Sequence, residues 1–270
     1  MYHSREKETK EAFDRGAASY PYTVSDLRNP RFLHRCTKRI RIALGTSTEN
    51  KDGKILDVGC GTGYFTLQLS KLYGEAVGID LYKKMIKIAE ISLKYERARE
   101  KVEFIVADGE YMPVRSNTFD TVLCLDFLHH VSNVPSVVKE MERVTTLGGK
   151  IVAIEPNYLN PLYAILCLLS KQESLKKFFV TSPRELSRLF KEVNMKNVTS
   201  KEVDYYPQLL LKLRRFPDKL YRSVNYFEEL LRRQPAFSFL CSHFVITGRK
   251  RSDRIGLILT SPKIPNDCNG

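Results

Sequence analysis

The chain has 270 residues, of which 43% are hydrophobic and 28% charged, and its formal net charge is +13. This composition excludes a disordered chain, a collagen-like repeat and a small disulfide scaffold, and the length is enough for one large core. Residues 1–156 carry 24 basic and 21 acidic side chains (+3), whereas residues 157–270 carry 20 and 10 (+10). The uneven charge favours an anionic partner for the second part, whether substrate, nucleic acid or membrane surface.

The cysteine spacing and the lengths of the apolar runs indicate in which cellular compartment the protein lies. The six cysteines are scattered without a Cys-x-x-Cys pair, at Cys36, Cys60, Cys124, Cys167, Cys241 and Cys268. The amino-terminal segment is charged and lacks the apolar core of a secretory signal. The longest apolar run, Leu162–Leu169, is less than half of the roughly 20 residues that a membrane-spanning helix needs. We therefore expect a reduced, cytoplasmic protein without a transmembrane helix.

From residue 51 onward, short β-branched runs alternate with longer amphipathic stretches, which is typical of a parallel sheet with crossover helices. In chain order, the pattern predicts strands at Ile55–Val58, Ala76–Ile79, Val102–Ala107, Thr121–Leu125 and Lys150–Glu155. The helices between them are predicted at Tyr64–Leu72, Leu81–Glu96 and Val134–Thr146. This alternation indicates a doubly wound α/β domain.

The second half adds one sharply marked helix and two further strands. Ser182 can cap a helix whose first turn holds Pro183, and Glu185 completes a capping box before an apolar stripe. Strands at Val198–Tyr206 and His243–Arg249 follow. The predicted fold is therefore a Rossmann-like, doubly wound, mostly parallel seven-stranded sheet.

Two stretches lie outside this alternation, at residues 156–181 and 207–240, and both mix apolar with basic side chains. Each follows the carboxyl end of a strand, so we expect helical insertions that cover one side of the ligand crevice. Residues 1–50 are predicted to form a helical lid and residues 51–250 the main domain, with its core motifs in residues 51–157. Residues 251–270 are expected to form a flexible tail.

The strongest motif follows the first strand. It reads Asp57-Val58-Gly59-Cys60-Gly61-Thr62-Gly63 and leads directly into the helix that begins at Tyr64. Glycines at such a turn permit positive φ and let a ligand approach the main chain closely. A dinucleotide fold needs G-x-G-x-x-G to seat a pyrophosphate, whereas here the spacing is D-x-G-x-G-x-G.

This motif resembles motif I of class I S-adenosylmethionine-dependent methyltransferases, and the resemblance extends in register across residues 51–157. Asp80 ends the second strand and Asp108 ends the third, where this family has acidic residues. The segment 119–131 resembles the fourth-strand motif, and the segment 143–150 resembles the turn into the fifth strand. The chain is similar to the type 11 group, which includes ubiquinone and menaquinone C-methyltransferases. The resemblance implies S-adenosyl-L-methionine as the cofactor and no metal.

The resemblance also implies roles for individual residues. Asp80 would bind both ribose hydroxyls, and Asp108 would bind the adenine amino group. Tyr20 belongs to a segment that resembles the short helix which folds over the cofactor. The implied cofactor-binding residues are Asp57, Gly59, Gly61, Gly63, Asp80, Leu81, Asp108, Gly109, Asp126 and Tyr20. For Asp57 the alternative is a role in supporting the turn without touching the ligand.

Candidate catalytic residues follow the fourth and fifth strands. Methyl transfer from a sulfonium is an in-line displacement, so alignment supplies much of the acceleration, and a base is needed only if the acceptor must lose a proton. His129 and His130 follow the fourth strand and are candidate bases, with His129 preferred. Glu155 ends the fifth strand and faces the same crevice. The alternative role for the histidine pair is a hydrogen-bonding cap.

The acceptor class follows from an absent motif and from the charge. The Asn/Asp-Pro-Pro-aromatic string of enzymes that methylate base amino groups is missing after the fourth strand, where the chain reads Asp126-Phe127-Leu128-His129. We therefore predict a small-molecule or lipid-like, anionic acceptor. One alternative is an RNA methyltransferase, suggested by the basic and aromatic residues 205–233, and another is a non-catalytic cofactor-binding scaffold. The amphipathic insertions also predict peripheral contact with an anionic membrane, and the oligomeric state stays open.

Overall fold

The computed structural model describes residues 30–45, 50–96, 101–161, 181–205 and 218–252. In these residues, seven strands form one sheet, with helices against both faces. The strands are β1 Asn50–Val58, β2 Tyr73–Asp80, β3 Lys101–Val106, β4 Phe119–Leu125, β5 Thr145–Pro156, β6 Met195–Val203 and β7 His243–Lys250. The α-helices are α1 Pro30–Leu44, α2 Tyr64–Ser70, α3 Lys83–Glu96, α4 Val134–Val144, α5 Pro183–Glu192 and α6 Asp218–Arg232. Two 3₁₀ turns span Leu128–His130 and Pro235–Leu240.

The strand order is β3-β2-β1-β4-β5-β7-β6, with β7 antiparallel to both of its neighbours and the other strand pairs parallel. The order reverses between β1 and β4, and in such open sheets the ligand crevice opens at that point, outside the carboxyl ends of the strands. The predicted Rossmann-like, mostly parallel seven-stranded sheet is confirmed.

The register brings the ends of four strands to this edge. Val58, the last residue of β1, lies opposite Ile79 of β2 and Cys124 of β4. Because β7 runs antiparallel, its first residue, His243, lies opposite Pro156 at the end of β5. The loops after β1, β4 and β5 and the start of β7 are therefore neighbours.

Apolar side chains on both faces of the sheet hold the helices in place. On one face, α4 and α5 contribute a stripe at helical spacing: Val134, Val137, Val138, Met141, Leu186, Leu189 and Phe190. On the other face, α1 and α2 bury Ile40, Ala43, Tyr64, Phe65 and Leu69 against β1, β4 and β5. The helix α1 is thus part of the core of the fold.

The helix boundary predicted at Ser182 is confirmed, because its hydroxyl accepts a hydrogen bond from the backbone N–H of Glu185 at 3.3 Å. The predicted capping box is only half formed, since the carboxylate of Glu185 pairs with Arg188. The prediction for β6 was wrong by three residues at each end. Asn194 adopts a positive φ of 64° directly after α5 and Asp204 one of 55°, so the strand runs between these two turns.

Parts of the predicted insertions lie outside the described residues, namely 162–180 and 206–217. The same holds for residues 1–29, which include Tyr20, and for residues 253–270 of the predicted tail. Within the ranges that the structure describes, no helix is long and apolar enough to cross a bilayer.

Candidate active site

The loop between β1 and α2 carries three glycines in the left-handed region, with φ of 74° at Gly59, 53° at Gly61 and 75° at Gly63. Position 59 also requires glycine for steric reasons, because a Cβ there would lie 2.1 Å from the ring of Phe127. The loop turns sharply enough for α2 to begin at Tyr64. It therefore presents bare main chain at the reversal point of the sheet.

Four of the five backbone N–H groups of residues 59–63 already have acceptors within the protein. Those of Gly59 and Cys60 donate to the carbonyl of Ile79 at 2.8 and 2.9 Å. That of Gly61 donates to Asp80 Oδ2 at 2.9 Å, and that of Gly63 donates to the carbonyl of Cys60. A phosphate-binding loop directs such groups at its ligand. The geometry agrees with the glycine spacing in disfavouring a pyrophosphate here.

Asp80 ends β2 beside the loop, with its carboxylate held by two backbone donors. Oδ2 accepts from Gly61 and Oδ1 accepts from the N–H of Tyr82 at 2.8 Å. Burial raises the pKa of Asp80, and these two hydrogen bonds oppose the rise. Each oxygen keeps a further acceptor position, so a carboxylate in this orientation can bind a pair of hydroxyls. The neighbouring Leu81 is exposed.

Asp57 lies beneath the glycine loop, with only 2% of its surface exposed. The hydroxyl of Thr66, in the first turn of α2, donates to its Oδ2 at 2.6 Å. Burial raises the pKa of Asp57 to about 7, although this hydrogen bond opposes the rise. These contacts support the loop from the strand side, which was the alternative role for this residue.

The end of β3 completes this half of the crevice. Asp108 is exposed, and its Oδ1 accepts a hydrogen bond from the N–H of Glu110 at 2.9 Å. Gly109 is buried, and a Cβ there would lie 3.0 Å from the ring of Phe127. The ring of Phe127 thus lies against both Gly59 and Gly109 and joins the ends of β1, β3 and β4. Sequence reasoning did not identify this role, which depends on three loops that are distant in the chain.

The three predicted catalytic residues come together. The carboxylate of Glu155 is fully buried; its Oε1 accepts from the N–H groups of Phe127 and Leu128, and its Oε2 lies 2.7 Å from His129 Nδ1. The ring of His129 packs against that of His130 in a tilted arrangement, with centroids 3.9 Å apart and 46° between the ring planes. With Nδ1 directed at Glu155, Nε2 is the nitrogen of His129 that can exchange a proton with a ligand.

A second buried cluster lies beside this pair, and the sequence analysis missed it. Arg39 of α1 donates from Nε to Asp204 Oδ2 at 2.6 Å, and its Nη1 lies 3.4 Å from Asp126 Oδ2. Its Nη2 lies 3.2 Å from His243 Nδ1, while His243 Nε2 lies 3.1 Å from Asp126 Oδ1. The cluster fixes Asp126, directly before the turn that carries His129, and ties α1 to this turn.

The charges of this cluster set its protonation. Burial opposes ionisation of Asp126, but His243 and then Arg39 outweigh it and lower its pKa. Burial, followed by the charge of Arg39, lowers the pKa of His243. The cluster therefore holds Asp126 as a carboxylate beside the guanidinium of Arg39. Asp126 also adopts a positive φ of 50°, which the cluster must hold against the usual cost for a residue with a Cβ.

Acidic side chains lie at the end of every parallel strand of the sheet. Each of the six ends within two residues of one of them: Asp57, Asp80, Asp108, Asp126, Glu155 and Asp204. The edge is therefore rich in carboxyl groups although the chain as a whole is basic. Asp57 keeps its proton up to about pH 7, and Arg39 offsets the charge of Asp126 and Asp204. The carboxylates that remain favour a ligand with positive charge close to the strand ends.

Comparison with known proteins identifies the family. A family model described as "Methyltransferase domain", of type 11, matches residues 56–153. A demethylmenaquinone methyltransferase of Bacillus licheniformis is 31% identical over 173 residues, which are 55% of this chain and 72% of that protein. The chain belongs to the class I methyltransferases of type 11. The resemblance seen in the sequence is confirmed.

Other members of the family differ in length and substrate. Norajmaline N-methyltransferase of Rauvolfia serpentina is 35% identical over 127 residues, which are 47% of this chain but only 41% of that protein. The chain thus spans under half the length of this relative. The crystal structure of the YcgJ protein of Bacillus subtilis superposes with a TM-score of 0.53 at 20% identity, covering 82% of this chain and all of that one. This likeness supports the fold.

Proposed function

We propose that the protein is an S-adenosyl-L-methionine-dependent methyltransferase that acts on a small-molecule or lipid-like acceptor. The observation that carries the proposal is the glycine loop with Asp80 at the reversal point of a class I methyltransferase fold. Four of the five N–H groups of residues 59–63 are committed within the protein, so the site suits a cofactor that offers hydroxyls and no phosphate.

The residues of the crevice fit this cofactor. Asp80 would accept hydrogen bonds from the two ribose hydroxyls, beside the exposed side chain of Leu81, and Asp108 with Gly109 would flank the adenine. The glycines of the loop would let the cofactor lie against the main chain. Asp126 and the acidic strand ends would stabilise its positive charges, which lie on a sulfonium and an ammonium group. Asp57 would support the loop from below.

When bound, S-adenosyl-L-methionine supplies a methyl group that a nucleophile can take in line with the sulfonium. We assign His129 as the base that accepts the proton of an acceptor group, through Nε2. Glu155 has three hydrogen-bond partners in the protein, so we assign it the orientation of His129 and the stabilisation of its protonated form. His130, which packs against His129, would restrict the ring of His129 and exclude water.

The acceptor is proposed from charge and from relatives. Among these relatives are enzymes named for methylation of demethylmenaquinone and of norajmaline, both small molecules. The excess of basic residues in 157–270 supports an anionic acceptor or an anionic surface near it. The pairing of a candidate base with a buried carboxylate at the ligand crevice supports the enzyme over the non-catalytic alternative.

A transfer assay tests this proposal. The purified protein would be incubated with methyl-labelled cofactor and separate lipid, small-molecule and RNA fractions of cell extract. We expect label in a lipid or small-molecule product, and loss of that signal in His129→Gln but not in the matched variant Asp52→Asn, whose side chain is exposed on β1. Label in RNA alone would favour the RNA methyltransferase instead, and label in no fraction would favour the scaffold.

A further inference from the structure

An exposed apolar surface lies on α6 and on the 3₁₀ turn 235–240, which pack against each other. Five large side chains on it expose 42 to 69% of their area, namely Tyr226, Phe227, Leu230, Phe237 and Phe239. We call them the aromatic surface. Single exposed apolar residues are ordinary, whereas a group of this size marks an interaction site.

Cations lie on the same face of α6 as part of the aromatic surface. Lys219, Arg222, Tyr226, Leu230 and Arg233 follow one another at spacings of three or four residues, which places them along one side of a helix. Arg233 continues the helical turn, since its N–H donates to the carbonyl of Leu230 at 3.2 Å. The three cations are exposed. The face therefore combines apolar and basic groups.

The opposite side of α6 is attached to the protein. Glu228 is buried and lies 3.0 Å from Lys38 Nζ of α1. Glu229 is exposed at the edge of the basic face and offsets part of its charge. The part of the aromatic surface that belongs to α6, namely Tyr226, Phe227 and Leu230, therefore lies away from the side of the helix that pairs with α1.

The aromatic surface also adjoins the catalytic strand. Asn157, two residues after Glu155, donates from Nδ2 to the carbonyl oxygens of Phe239 and Cys241 at 3.4 and 3.0 Å. Asn160 donates from Nδ2 to the carbonyl of Leu240 at 2.7 Å. The 3₁₀ turn that carries Phe237 and Phe239 is therefore fixed to the end of β5, beside the His129–Glu155 pair.

We propose that the aromatic surface docks on an anionic lipid bilayer. Tyr, Phe and Leu side chains would enter the boundary between head groups and acyl chains, while Lys219, Arg222 and Arg233 bind lipid phosphates. Docking itself is independent of the reaction. Its consequence, that a lipid-like acceptor is taken from the bilayer beside the active site, rests on the proposed methyltransferase function.

The arrangement favours a bilayer over two other occupants. In a symmetric dimer through this face, the cations of one α6 would meet those of its copy, and like charges repel. Single-stranded RNA binds to aromatic faces along a basic groove, whereas here aliphatic Leu230 and the phenylalanines lie on the outside of a helix. A membrane surface accommodates both the apolar and the cationic groups of a convex face.

Vesicle flotation tests the docking. The full chain should float with phosphatidylcholine vesicles that contain phosphatidylglycerol and stay unbound with phosphatidylcholine alone, with retention falling as salt rises. We expect Tyr226→Ser/Leu230→Ser to weaken binding at least about tenfold, because both side chains lose their contact with the bilayer. Lys219→Gln/Arg222→Gln/Arg233→Gln should weaken it about 100-fold, at roughly fivefold for each cation.

Control variants carry comparable changes elsewhere on the protein. Ile91→Ser removes an apolar side chain on α3 that is 49% exposed, and Lys87→Gln/Lys94→Gln/Lys191→Gln removes three exposed cations. Both should float like the wild type. Equal loss in the controls, or flotation that survives in both surface variants, would overturn the proposal.

Two further measurements separate the alternatives. Light scattering measures the oligomeric state. If the wild type is a dimer that does not float with vesicles, and Tyr226→Ser/Leu230→Ser is a monomer, the face binds a second copy and the proposal is overturned. Release from vesicles by tRNA, with tRNA binding lost in the same variants, would assign it to RNA and also overturn it. Cofactor titration on the same samples reports the methyltransferase site separately, so failure of docking and failure of the proposed function are distinguishable.

Discussion

Replacing Asp57 by asparagine should change how stability depends on pH. The pKa of this carboxyl is about 7 in the folded protein, against an ordinary value of 3.8, because burial penalises the charge. The folded state therefore holds the proton more tightly than the unfolded chain. Its contribution to stability is fully present below pH 3.8 and is lost as the pH rises through about 7.

The magnitude follows from linkage. Between about pH 5 and about pH 7 the unfolded carboxyl is ionised and the folded one is not, so each pH unit costs about 1.4 kcal/mol, or about 3 kcal/mol in total. An asparagine side chain would have no proton to lose and would still accept the hydrogen bond from the Thr66 hydroxyl. The variant should therefore gain about 3 kcal/mol relative to the wild type between about pH 5 and about pH 8.

Urea unfolding of the wild type and of Asp57→Asn at about pH 5 and about pH 8 measures this difference in the free energy of unfolding. Groups that titrate equally in both proteins do not contribute to the difference. Asp52→Asn, at an exposed position on the same strand, is the control and should run parallel to the wild type. If the curves of Asp57→Asn and the wild type also run parallel, the folded protein does not protonate Asp57. The description of this residue as a buried support of the glycine loop would then be refuted.

Three further predictions concern the site and its support. His129→Gln should lower kcat about 100-fold or more with unchanged cofactor affinity, whereas His130→Gln should mainly change KM. If both variants change kcat by the same small factor, His129 has only a structural role. Arg39→Met should cost about 3–5 kcal/mol in urea unfolding because it leaves the buried Asp204 and the partly buried Asp126 without their cation, while the exposed Arg41→Met should cost under about 0.5 kcal/mol. Gly59→Ala places a methyl group 2.1 Å from a neighbouring ring at a positive φ, so calorimetry should find cofactor binding lost, and an unchanged Kd contradicts the loop geometry.

Local chemistry explains what the sequence could predict. The glycine loop, the acidic strand ends and the Ser182 cap each depend on residues a few positions apart. The strand pattern also places the glycine loop and the acidic strand ends at one edge of the sheet. The error at β6 has a local cause too, because Asn194 and Asp204 turn the chain in the left-handed region, which asparagine and aspartate adopt more readily than other residues with a Cβ. The sequence pattern did not reveal which asparagine and aspartate residues would adopt the left-handed conformation.

Long-range pairing explains what the sequence could not predict. Arg39 is buried beside partners 165 and 204 positions away in the chain, which no local pattern reveals. Glu155 and His129 were two separate candidates for the base, and only the pairing of β4 with β5 brings them within 2.7 Å. The packing of α1 and the strand order decide both contacts.

Isothermal titration of S-adenosyl-L-methionine into the wild type and Asp80→Ala tests the central claim most directly. Asp80 accepts two backbone hydrogen bonds and would bind two ribose hydroxyls, so its loss should weaken binding by about 100-fold, or about 3 kcal/mol. We expect saturable binding to the wild type and to the control Asp52→Asn, and little or none to Asp80→Ala. Wild-type protein that binds no cofactor at millimolar concentration, or an Asp80→Ala variant that binds as tightly, would contradict the account.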